Sequence, residues 1–152
     1  NLFDNICLPG FKAKKDTVQE VEDRASQLME RLGIDDVKHS PIQQVSGGQL
    51  QRAAICRALI NKPRILFADE PTGSLNSRNA EEVMRIFNQL NREGMSILTV
   101  THDPKVASVT HRIIYLKDGQ IEAQLKLGKF DEGDDLRQRE EKTMNWLIER
   151  GF

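Results

Sequence analysis

The chain has 152 residues, 38% apolar, 30% charged and 5% aromatic, which suits one folded globular domain rather than a disordered segment. Its 22 Lys and Arg nearly cancel 23 Asp and Glu, so no overall basic field is present to gather nucleic acid. No apolar run approaches the ~20 residues needed to cross a bilayer, and no signal-peptide pattern occurs, so any membrane link would come through a partner. Cys7 and Cys56 lie far apart without metal-ligand spacing and read as reduced, buried thiols of a cytosolic protein.

In chain order, Asn1 to Lys15 reads as a short irregular opening, with Pro9-Gly10 marking a turn. Asp16 to Leu32 reads as a helix: Thr17 and Glu20 form a capping-box pattern, Val18, Val21, Ala25, Leu28 and Leu32 make one apolar stripe, and Gly33 ends it. A polar loop broken by Pro41 leads to Val45. After Ser46-Gly47-Gly48 a second helix is expected from about Gln49 to Ile60. Ile65 to Ala68 is a continuous apolar run closed by two acids, the pattern of a strand buried on both faces. A helix over Asn79–Arg92 and a buried strand over Ile97–Thr101 follow. Arg112–Leu116 and Gln120–Leu125 flank Asp118-Gly119, a hairpin signal. Strand, helix, strand and hairpin together predict an α/β fold whose parallel sheet carries an antiparallel edge. The tail from Gly128 is charged, then apolar at Met144, Leu147 and Ile148, which reads as a short helix. Trp146 within it either docks on the domain's own body or serves a partner surface.

Three stretches carry chemistry. Asp69 and Glu70 end a strand, at the carboxyl edge of a sheet where open α/β folds bind ligands. Successive strand residues face opposite sides, so one carboxylate can hold Mg²⁺ while the other orients a water attacking a phosphate. Ser46-Gly47-Gly48-Gln49 precedes a helix, whose first N–H groups and dipole favour an anion that glycines allow to approach closely. His102, in Thr101-His102-Asp103-Pro104, shares the sheet edge of the acids if the two strands are neighbours, and can donate to a terminal phosphate oxygen. Each has a plainer reading when taken alone: a solvated strand end, an ordinary serine N-cap and a structural histidine. His39 and His111 keep the plainer reading.

Together, in this order and spacing, they resemble the ATP-binding cassette (ABC) ATPases. Val45-Ser46-Gly47-Gly48-Gln49-Leu50-Gln51-Arg52 is similar to the family's signature motif, and Ile65-Leu66-Phe67-Ala68-Asp69-Glu70-Pro71-Thr72 to its Walker B strand with the catalytic glutamate. Gly73-Ser74-Leu75-Asn76 stands where the D-loop belongs, with Asn76 in place of the usual Asp, and His102 stands where the switch histidine belongs. The resemblance spans about Leu2 to Leu125 and implies a P-loop NTPase-type (RecA-like) parallel sheet, a helical subdomain, a hairpin and a short C-terminal helix. The implied divisions are 1–63 for the helical subdomain with its signature, 64–127 for the catalytic core, and 128–152 for an extension. Implied cofactors are ATP and Mg²⁺, and implied partners are a transmembrane permease and a second nucleotide-binding subunit arranged head to tail. In that arrangement Asp69 serves Mg²⁺, Glu70 polarises water, His102 meets the γ-phosphate, and Ser46, Gly47, Gly48 and Gln49 close on nucleotide held by the other subunit. Asn76 contributes at the interface between subunits. The extended tail and the run Pro71–Asn76 resemble the lipoprotein-release, macrolide-efflux and bacitracin-resistance exporters, peripheral on the inner face of the cell membrane.

The phosphate-cradling pattern G-x-x-x-x-G-K-[ST] does not occur. Gly128 and Gly133 have its glycine spacing, but Asp134 and Asp135 follow and would repel a triphosphate. The chain, opening on Asn1, therefore reads as the carboxyl-terminal part of a nucleotide-binding subunit, silent alone and prone to self-association or local rearrangement through uncovered strands. Competing readings are a DNA-maintenance ATPase lobe of the SMC type and a non-catalytic interaction module. No heptad repeat precedes the signature, which argues against the first; binding of Mg-ATP separates the second.

Overall fold

The computed structural model describes residues 1–131 and 133–151. Two compact units form, one over Asn1–Thr99 and one from Val100 onward.

The first unit opens on a helix, α1 (Leu2–Ala13), where an irregular turn was expected. Asn1 caps it, its side-chain oxygen accepting from Asp4 N–H at 2.9 Å. Leu2, Ile6, Cys7 and Gly10 are buried along one face, the i, i+4, i+5, i+8 spacing of an amphipathic helix. Pro9 lies inside the helix and removes one ladder hydrogen bond, a loss of about 3 kcal/mol. Burying several side chains at ~1.5–3 kcal/mol each outweighs it. Gly10 is a close approach and not a turn: a Cβ there would lie 2.6 Å from Val21 Cγ1.

Helix α2 (Val18–Arg31) starts with the expected capping box. Thr17 N–H donates to Glu20 Oε2 at 2.7 Å, and Glu20 N–H donates to Thr17 Oγ1 at 3.3 Å. Its buried seam is Val21, Ala25 and Met29, rotated from the predicted stripe, so Val18 is exposed instead. The Thr17 backbone N–H, then its hydroxyl, hold the Glu20 carboxyl below its ordinary value. A lowered folded pKa gives stability that is present above the unfolded value of 4.5 and lost as pH falls through the folded one. Glu20→Gln keeps an acceptor for the cap, so its melting temperature is expected to fall less than the parent's between about pH 5 and pH 3. Equal slopes would refute this account of the cap.

Two 3₁₀ turns, Asp35–Val37 and Ile42–Gln44, fill the polar loop before α3 (Gly47–Leu59). Arg24 ties α2 to the end of α3, donating to Asp16 Oδ2 at 2.8 Å and to the Ile60 carbonyl at 2.7 Å. Burial pushes the Cys56 thiol up to about 12 and Cys7 up to about 11, so both stay protonated. Both are free and buried, as the sequence suggested.

Strands β1 (Ile65–Asp69) and β2 (Ser96–Val100) pair. Ser96 N–H donates to the carbonyl of Arg64, so the strands start side by side and run in the same direction. Between them α4 (Ser77–Arg92) buries Val83, Phe87 and Leu90. Leu66, Ala68 and Ile97 join the helical core, whereas Ile65, Phe67 and Leu98 are exposed. The strands are thus covered on one face only, a correction to the expectation of burial on both.

In the second unit α5 (Pro104–Ser108) has Pro104 at its start and Asp103 as cap, the Lys105 N–H donating to Asp103 Oδ1 at 2.8 Å. Strands β3 (Arg112–Lys117) and β4 (Gln120–Lys126) form the hairpin, with positive φ at Asp118 (49°) and Gly119 (76°) as a two-residue primed turn needs. The hairpin is a two-stranded sheet of its own and not the antiparallel edge of β1–β2. Helix α6 (Leu136–Ile148) packs against α5 and meets the hairpin through Trp146, which contacts the Tyr115 ring edge-on at 6.3 Å while the Arg150 guanidinium lies 4.2 Å over the Trp146 ring. Trp146 therefore docks on its own unit. Arg139 donates to the carbonyls of Ser108, Thr110, Leu127, Gly128 and Lys129, joining α5, the end of β4 and the tail.

Candidate functional site

Asp69 is the last residue of β1 and is exposed; Glu70, next in the chain, is half-buried. Glu70 has φ 43°, a left-handed conformation that costs a residue with a side chain ~1–2 kcal/mol, and it directly precedes Pro71. A tight turn holds it there. Gly73 N–H donates to the Glu70 carbonyl at 3.2 Å, Leu75 N–H donates to the Thr72 carbonyl at 3.0 Å, and Thr72 is buried. Strain held by the surrounding chain is a common property of working sites. The exposed Asp69 carboxylate offers the hard oxygen that Mg²⁺ prefers, and it fits that ion with the remaining positions left to water and phosphate. No cluster of three or more His, Cys, Asp or Glu able to hold a metal occurs among the described residues.

Ser46 caps α3 in a full capping box: Gln49 N–H donates to Ser46 Oγ at 3.3 Å, and Ser46 N–H donates to Gln49 Oε1 at 2.9 Å. The N-cap role leaves donors at this turn uncommitted. The Ser46 hydroxyl keeps its own proton to donate, and the amides of Gly47 and Gly48 begin the helix, beyond the reach of its ladder. Gly47 is exposed, and a Cβ there would make an ordinary contact with the Leu75 side chain at 3.8 Å. Gly48 is buried, and a Cβ there would lie 2.6 Å from Asn79 Oδ1.

Asn76 caps α4, its Oδ1 accepting from Asn79 N–H at 3.0 Å. Leu75, just before it, lies 3.8 Å from the Cβ position of Gly47. The structure thus brings the Ser46–Gly48 turn together with the start of α4. Asn79, Arg52 and Glu82 also belong to this junction, through the Gly48 contact and an ion pair between Arg52 and Glu82. Sequence reading passed over them, because no local pattern links residues on α3 to residues on α4.

His102 is exposed, in the loop between β2 and α5. Asp103 N–H donates to Thr101 Oγ1 at 3.0 Å and closes a small turn around it. The acids belong to the first unit and His102 to the second.

Comparisons with known proteins place the chain in a wider context. The sequence profile described as "ABC transporter" matches residues 2–73. The chain is 46% identical over 119 residues to the macrolide export ATP-binding/permease protein MacB of Chromobacterium violaceum, covering 78% of the chain and 18% of that protein. It is 50% identical over 123 residues to the protein of the same name from Syntrophobacter fumaroxidans, covering 80% of the chain and 17% of that protein. An uncharacterized ABC transporter ATP-binding protein of Bacillus subtilis is 43% identical over 120 residues, covering 77% of the chain and 51% of that protein. The chain therefore spans about a fifth of the macrolide-export relatives and about half of the Bacillus one. Among solved structures, a dimeric bacterial ABC transporter cassette matches with a TM-score of 0.75 and 39% identity, covering 86% of this chain and 58% of that one. A dimeric post-hydrolysis state of an ATP-binding cassette bound to ADP and Pi matches with a TM-score of 0.74 and 37% identity over the same shares. By sequence and by fold alike, this chain belongs to the ABC transporter family.

Proposed function

We propose that this chain supplies the signature, Walker B, D-loop and switch elements of a subunit that hydrolyses ATP to power export through a permease. The observation that carries the reading is the junction in the first unit. There the strained Glu70 turn leads, within a few residues, to a helix start packed against the serine- and glycine-led start of α3. Asp69 holds Mg²⁺, which when bound neutralises charge on the phosphate oxygens. Glu70 accepts a proton from the attacking water and orients it, and the His102 imidazole donates to a terminal phosphate oxygen. The Ser46 hydroxyl and the Gly47 and Gly48 amides bind a phosphate presented by a second nucleotide-binding subunit, with Gln49 holding Ser46 in place. Asn76, as cap of α4, positions the loop that meets that subunit.

Dimeric solved relatives support the second subunit, and relatives named as ATP-binding/permease proteins support the permease. No helix among the described residues is long and apolar enough to cross a membrane, so the permease would hold the subunit at the inner face of the membrane. Among drug, lipoprotein and antimicrobial-peptide cargoes, the names of the macrolide-export relatives favour a drug, and the permease makes the choice.

Because no G-x-x-x-x-G-K-[ST] stretch is present, the purified chain is expected to show no Mg-ATP turnover. Joined behind a segment bearing that stretch it should turn over, and Glu70→Gln should then lower kcat roughly 10²-fold or more with little change in nucleotide binding. Isothermal titration and phosphate release measure both. Turnover by the chain alone that disappears with Glu70→Gln, or an unchanged kcat in the joined protein, would overturn the reading.

A further inference from the structure

Gly48 is constrained by the Asn79 carboxamide, whose Oδ1, Cγ and Nδ2 would stand 2.6, 2.7 and 3.0 Å from a Cβ. Asn79 is itself held by Asn76, which accepts from its N–H at 3.0 Å. One turn further along both helices, Arg52 of α3 pairs with Glu82 of α4, with side chains only 14% and 32% exposed. The Arg52 Nε is buried without a partner among the described residues, so Glu82 is the acid that holds this guanidinium.

We propose that Asn79 is a positioning residue that joins the loop ending at Asn76 to the Ser46–Gly48 turn, so that, with the Arg52–Glu82 pair as a second fastening, the two helix starts move as one piece. A displacement of the loop at Leu75 and Asn76 then passes directly to the amides of Gly47 and Gly48. Its consequence for phosphate binding rests on the function proposed above; the mechanical coupling does not.

The test is a double-mutant cycle on this chain. Gly48 has an ordinary helical backbone, so in open space alanine would stabilise it. Gly48→Ala is expected to lower the melting temperature by ~3–6 °C, because Asn79 occupies the space. In an Asn79→Ala background the sign reverses, and Gly48→Ala leaves the melting temperature equal or higher. Amide hydrogen exchange supplies the local readout. In Asn79→Ala/Glu82→Gln the Gln49 and Leu50 amides, which donate to Ser46, should exchange roughly tenfold faster, while those of Val21 and Ala25 in α2 keep their rates. A Gly48→Ala penalty that persists without Asn79 overturns the proposal, as does exchange that rises equally in α2. Neither readout uses nucleotide, so failure of the coupling is distinguishable from failure of the ATPase reading.

Discussion

Ile6→Ala is expected to cost the first unit about 3 kcal/mol, the usual size of loss when a large aliphatic side chain is cut back inside a packed core. Ile6 is 1% exposed, on the face of α1 that also buries Leu2 and Cys7. The neighbouring Gly10 is so close to Val21 that α2 has little room to slide inward and fill the hole. For a chain of this size the loss corresponds to roughly 6–12 °C in melting temperature. The result discriminates between two descriptions of the opening residues. In an irregular surface turn the same change would cost under about 0.5 kcal/mol. Urea and thermal unfolding measure it, and a loss that small would remove α1 from the core.

Arg139→Ala is expected to have a comparable effect, confined to the second unit. The guanidinium, 12% exposed, takes the carbonyls of Ser108 and Thr110 at 3.0 Å and those of Leu127 and Gly128 at 3.2 Å. Hydrogen bonds from a charged donor contribute ~1.5–3 kcal/mol each but are not additive within one network, so about 3 kcal/mol is the expected total. The contact with Asp134 at 3.4 Å adds little, since that carboxylate is 37% exposed. Arg139→Lys should recover only part of the loss, because an ammonium cannot reproduce the planar fork that serves carbonyls on several sides. Hydrogen exchange should show α5, the hairpin and α6 opening more readily while α1 to α3 keep their protection. A variant that melts like the parent would show that the tail does not depend on this residue.

The two units differ in how much of them was legible beforehand. Where structure is decided by neighbours in sequence, reading was accurate. The Thr17–Glu20 capping box closes over three residues, Ser46 caps α3 as its plainer reading had it, and the Asp118-Gly119 turn depends only on two positive φ angles. The cysteines behave as burial-prone thiols anywhere would. Misreadings occurred where a distant surface decides. Pro9-Gly10 has turn composition, yet α2 and α3 offer a surface on which a helical stripe can be buried, and burial prevails over one missing hydrogen bond. Phe67 belongs to an apolar run but points away from the helical core and is 68% exposed. An apolar run cannot report how many layers pack on its strand.

The candidate site divides in the same way. Asp69, Glu70, Ser46, Gly47, Gly48, Asn76 and His102 were expected at the ends of elements from type and spacing, and the structure puts them there. Which groups touch was not legible. Asn79 reaches Gly48 across 31 positions of chain, a number fixed by how α3 lies on α4 rather than by anything written near either residue.

By itself, then, the order of amino acids determined the helix caps, the hairpin turn, the acids at a strand end and the family to which the chain belongs. These depend on interactions a few residues long or on short motifs. The tertiary structure alone decided that the opening segment is a core helix, that the hairpin is a sheet apart, that Trp146 lies on Tyr115, and that Asn79 backs the signature turn. Each of those results compares the free energies of surfaces brought together from far along the chain, and local propensity carries no record of that comparison.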